Sequence, residues 1–77
     1  MDIQDEIHRL DRLISLHPAD ELLYVERGKL HWKQQDLPGC LADYDEAVRL
    51  NPQSQAIHLK EMVMRIMSFY NKDMYNP

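Results

Sequence analysis

Apolar residues recur along this chain at helical spacings of three and four, in four stretches broken by proline and turn residues. The first stripe is Ile3, Ile7, Leu10 and Ile14, joined by Leu13. Asp2 is placed to cap that helix, with Asp5 and Glu6 in the first turn suiting the positive end of its dipole. Pro18 ends it, because the residue before a proline disfavours helical geometry. Ala19 and Asp20 make a turn, Asp20 capping a second helix over Glu21–Gln34. There Leu23, Arg27, Leu30 and the aliphatic stem of Gln34 share one side, and Tyr24, Gly28 and His31 an adjacent one. Gln35–Gly39 reads as a turn, with Asp36 as a cap and Pro38 in the first turn of a third helix, where its missing N–H is no loss. That helix, Pro38–Leu50, presents Leu41, Tyr44, Ala47, Val48 and Leu50 before Asn51-Pro52 closes it.

The fourth stretch, 54–71, is the most apolar. Leu59, Met62, Val63, Ile66, Met67, Phe69 and Tyr70 cover nearly half its circumference, and Ile57 and Met64 lie on the other side. The tail 72–77, with Met74 and Tyr75, reads as loosely ordered. The pattern predicts an all-α fold of about four antiparallel helices in a single domain.

One spaced set inside Glu21–Ser54 says more than periodicity does. It reads Tyr24-x2-Arg27-Gly28-x2-His31, then Cys40-x3-Tyr44, then Ala47 and Pro52. This resembles the tetratricopeptide repeat, whose pattern is W-x2-L-G-x2-Y, A-x3-F and a closing proline over 34 residues. Gly28 and Pro52 match outright; Tyr24, Cys40 and Tyr44 match in size or character; Arg27 and His31 depart from Leu and Tyr. The resemblance gives Gly28 a reason: a bare backbone lets the neighbouring helix approach, with Tyr44 filling the space, against a helix cost of ~1 kcal/mol. Many such repeats carry Gly where this chain has Gln35, so a left-handed backbone there would be strained.

The same period places the flanks. One step back from Pro52 is Pro18; Leu16-His17-Pro18 echoes Leu50-Asn51-Pro52, and Leu10 and Leu13-Ile14 take the places of Tyr44 and Ala47-Val48. Residues 2–17 thus resemble the second helix of a preceding repeat, and 54–71 the first helix of a following one, with Met62 in place of Gly28. At least about three repeats are needed for a stable stack. The resemblance therefore implies well-packed ends, or cover from a second copy or a partner.

Charge removes some functions. The chain carries 13 acidic and 9 basic residues, a net charge of −4, with no Lys/Arg cluster to follow phosphates, so nucleic acid and anionic membranes are unsuitable ligands. No apolar run reaches a membrane span, the first residues do not read as a secretory leader, and the lone Cys40 gives no disulfide framework. The expected compartment is the cytoplasm.

Candidate chemistry is thin. His8, His17, His31 and His58 make no i, i+4 ligand pair, so no metal or other cofactor is expected. Cys40 lies near a helix start, yet the repeat pattern asks there for a small packing residue. Asp43, Asp45 and Glu46 read as a solvated helix face. No catalytic residue emerges, and a thiol- or metal-dependent enzyme is the remote alternative.

The resemblance implies a non-catalytic protein–protein module in which the first helix of each repeat lines a peptide groove. The corresponding positions are Leu22, Val25, Glu26, Lys29, Trp32 and Lys33. Val25, Glu26, Lys29, Ala56, Leu59 and Lys60 do not form the basic clamp with which some family members hold acidic chaperone tails. The expected partner is an apolar peptide or helix, with Trp32 as anchor. The alternatives are intramolecular cover of this face by the terminal helix, and a homodimer built on that helix through Ile57, Met64 and Met67.

Overall fold

The computed structural model describes the backbone of residues 2–75 and the side chains of residues 2–69. Four helices and no strand are found among the described residues: α1 (Ile3–Leu16), α2 (Glu21–Lys33), α3 (Leu37–Leu50) and α4 (Ala56–Tyr75). The fold is an all-α array in which each helix packs mainly on its sequence neighbours, the α2–α3 pair most extensively.

Local chemistry sets the helix starts. The side chains of Asp2, Asp20 and Asp36 accept from the amides of Gln4, Leu22 and Gly39, satisfying donors that an α-helix leaves orphaned. Before α4 the Ser54 hydroxyl does this, accepting from Ala56 N at 3.1 Å. Ser54 is itself buried, and its hydroxyl donates to Glu21 Oε2 at 2.7 Å, while Asn51 Nδ2 donates to Glu21 Oε1 at 3.3 Å. One carboxylate at the start of α2 therefore ties down the α3–α4 turn. Gln35 does adopt the left-handed backbone, at φ 62°.

Val25, Cys40, Tyr44, Ala47, Ala56 and Val63 form the buried core across α2, α3 and α4. Its tightest point is Gly28. A Cβ there would lie 2.6 Å from Tyr44 Cε1 and 2.9 Å from Cδ1, and the 2%-exposed ring has nowhere to go. α1 joins through Ile7 and Leu10, both buried.

Two expectations need correcting. α4 does not stop near Asn71; its backbone runs through Tyr75, across much of the segment expected to be a loose tail. At 20 residues it spans about 30 Å. Asn76 and Pro77, and the side chains of Tyr70, Met74 and Tyr75, lie outside the described residues. The second correction is Asp43, which is buried, at 5% exposure, and ion-paired rather than solvated. No helix among the described residues is long and apolar enough to cross a membrane.

Candidate functional site

The two departures from the repeat pattern, Arg27 and His31, meet in space at Asp43. Arg27 Nε and Nη2 donate to the two Asp43 oxygens at 2.9 and 2.8 Å, a bidentate pair, while Nη1 donates to Asp11 Oδ1 at 2.8 Å. The Arg27 guanidinium lies 5.7 Å from the centroid of Tyr24, whose hydroxyl donates to Pro18 O at 3.2 Å. His31 Nε2 is 3.5 Å from Asp43 and its Nδ1 3.3 Å from Asp36. The hydrogen bond from Arg27 to Asp43, before all other causes, raises the guanidinium pKa above its ordinary value. One cation thus fastens α2 to α1 and α3 together. The signal was in the sequence: a cation and a histidine on the helix face where the pattern wants Leu and Tyr require a carboxylate opposite.

Cys40 is fully buried, and burial pushes its thiol pKa up, away from the thiolate a nucleophile needs. Burial likewise pushes the Tyr44 hydroxyl up. Among the described residues no group of three His, Cys, Asp or Glu is placed to hold a metal ion.

The anticipated groove on α2 is not a continuous apolar surface. Val25 is 0% exposed, part of the core and closed to any partner. It belongs to the core cluster with Cys40, Tyr44 and Ala47 of α3 and Ala56 and Val63 of α4. Trp32 is half-buried and packs against the same core, and Lys29 is half-buried and 3.9 Å from Glu26. Leu22, Glu26 and Lys33 remain exposed.

A better-formed surface lies between α3 and α4. Leu41, Met64, Met67 and Ser68 line a groove of about 380 Å³. An adjoining one of about 320 Å³ is lined by Asp45, Val48, Ile57, Lys60, Glu61 and Met64. Met64 is common to both and 51% exposed. The structure thereby brings Ile57, Met64 and Met67 to one surface and adds Leu41 and Val48 from α3. Those two were legible as apolar positions of α3; in the structure they are half-buried against the core and still reach the groove walls. Lys60 reaches across to Asp45 and makes the polar edge.

Comparison of the chain with family models, curated proteins and solved structures finds no match.

Proposed function

We propose that this chain is a tetratricopeptide-type helix array that binds protein and performs no catalysis, and that its binding surface is the groove between α3 and α4. The observation that carries this reading is the groove itself: Leu41, Val48, Ile57, Met64 and Met67 offer apolar walls, with Asp45, Lys60 and Glu61 as a charged edge. Such an apolar centre with a polar rim is the usual anatomy of a protein-binding patch. Methionine suits it, since its flexible thioether adapts to a helix laid along the groove. The inert, buried Cys40 fits a reducing compartment, and we place this adaptor in the cytoplasm.

Met64→Glu puts a charge at the junction of the two grooves, on a side chain half open to water, so the fold should survive. Tagged wild-type protein is expected to retain a specific protein from cells that express it, and Met64→Glu to lose it with unchanged helicity by circular dichroism. Equal recovery by both would remove the α3–α4 groove as the binding surface. A second reading, self-association through the same helix, is favoured by a specific pattern of charges at the two ends of the array.

A further inference from the structure

We propose that the partner on the outward face of α4 is a second copy of this chain, which seats the outer stripe of its α1 there as α3 seats on α2. The proposal rests on the protein-binding reading above, takes a second face of α4 that adjoins the α3–α4 groove at Glu61, and names one occupant.

A step of 34 residues makes α3 the counterpart of α1 and α4 the counterpart of α2. Local structure follows the step. Asp2 and Asp36 both cap their helices, α1 and α3 stop at Leu16 and Leu50, and Asp20 and Ser54 each accept from the amide two residues on. α3 meets α2 through Asp43 and Tyr44, flanked on the same helix by buried Cys40 and Ala47. The counterpart stripe on α1 is Glu6, Arg9 and Leu13, continued by Leu16; Arg9 and Leu16 are exposed, and Glu6 and Leu13 half-buried. Leu16 is 72% exposed there. On α4 the outward face carries Glu61, Met62 and Arg65, all exposed.

Charges distinguish this seat from a merely uncovered face. Arg27 serves two neighbours, Asp11 on α1 and Asp43 on α3. One step on, the two duties are separated. Lys60 takes Asp45, the counterpart of Asp11, within the chain. The counterparts of Arg27 and Asp43 are then Glu61 and Arg9: the same pair with its charges reversed, its halves on helices at opposite ends of the array. His31, beside Asp36, is matched by Arg65 and Asp2, with Glu6 one turn further along α1. A second copy laid antiparallel on α4 sets its Arg9 against Glu61, and its Asp2 and Glu6 against Arg65.

Within one chain Arg9 bonds its neighbour Glu6 at 3.1 Å, an exposed pair of little energetic weight that is readily exchanged. The joint is heterologous: each copy that receives an α1 on its α4 still presents its own α1, so growth continues instead of closing at a dimer by symmetry.

Sedimentation of the full chain across the micromolar range tests this. The mean mass should rise steadily with concentration. Arg9→Glu alone and Glu61→Arg alone each set like charges together at every joint and should weaken association at least about tenfold. An equimolar mixture of the two variants should recover it, because every mixed joint again opposes a guanidinium and a carboxylate. Both side chains are exposed, so helicity should hold; should either variant lose it, Arg9→Gln and Glu61→Gln should still weaken assembly severalfold. A monomeric wild type, an association indifferent to both reversals, or a mixture no heavier than its components would overturn the proposal. A monomer that still captures another protein in a Met64-dependent manner would sink this inference and leave the binding module standing.

Discussion

Asp43→Ala should lower stability by roughly 2–3 kcal/mol, a melting-temperature loss of about 10–20 °C for a domain of this size. The carboxylate is 6% exposed in its side chain and holds two Arg27 nitrogens. Removing it leaves a half-buried guanidinium with only Asp11, and takes away the oxygen 3.5 Å from His31 Nε2. Breaking one side of a fully buried pair costs about 3–5 kcal/mol; the lower figure here reflects Arg27, whose side chain keeps 23% of its exposure. Asp45→Ala is the control, since its pair with Lys60 is exposed and its loss should stay within about 0.5 kcal/mol. Thermal unfolding that ranks the two variants equally would contradict the role given to Asp43. Replacing both partners, as Arg27→Met with Asp43→Leu, should recover most of the loss, because no buried charge is then left without its partner.

Tyr44→Ala should cost more, about 3–5 kcal/mol, because it empties the centre of the core beside Val25, Cys40 and Ala47. A domain of this length has only about 4–12 kcal/mol in total, so the variant should sit near its unfolding threshold. Gly28 supplies a sharper version. In the wild type Gly28→Ala forces a Cβ within 2.6 Å of the Tyr44 ring and should destabilise by about 1–2 kcal/mol, the clash outweighing the gain in helix propensity. In the Tyr44→Ala background that clash is gone, so the same change should stabilise. Urea unfolding of the four proteins reads this sign reversal directly; a Gly28→Ala effect of the same sign in both backgrounds would refute the close approach.

The helices were legible because each carries its own punctuation. Asp2, Asp20 and Asp36 mark starts and Pro18 and Pro52 mark ends, and these act within a few residues, where sequence and structure are nearly the same thing. Gly28 with Tyr44 was legible for a related reason: a glycine in mid-helix has a cost that only a close neighbour explains. The site was less so. Val25 fell on the groove face because the resemblance assigns groove positions by their place in the repeat, whereas here Val25 is enclosed in a core shared by α2, α3 and α4. Asp43 was misplaced because a carboxylate followed closely by Asp45 and Glu46 looks solvated until its cation, 16 residues away, is recognised as its partner. The grooves depend on how α4 lies against α3, which no local signal encodes. The charge-reversed pair Glu61 and Arg9 was present in the sequence throughout, but became meaningful only after Lys60 was found on Asp45.

Photo-cross-linking from position 64 tests the central claim, that the α3–α4 surface is where this chain holds protein. A photoreactive residue is placed at Met64 and, in a separate protein, at exposed Lys33 on α2. Irradiation in cells is predicted to give a discrete cross-linked protein product from position 64, whether with a second copy or another chain, and little from position 33. No product from position 64, or an equal or stronger one from position 33, would contradict the account.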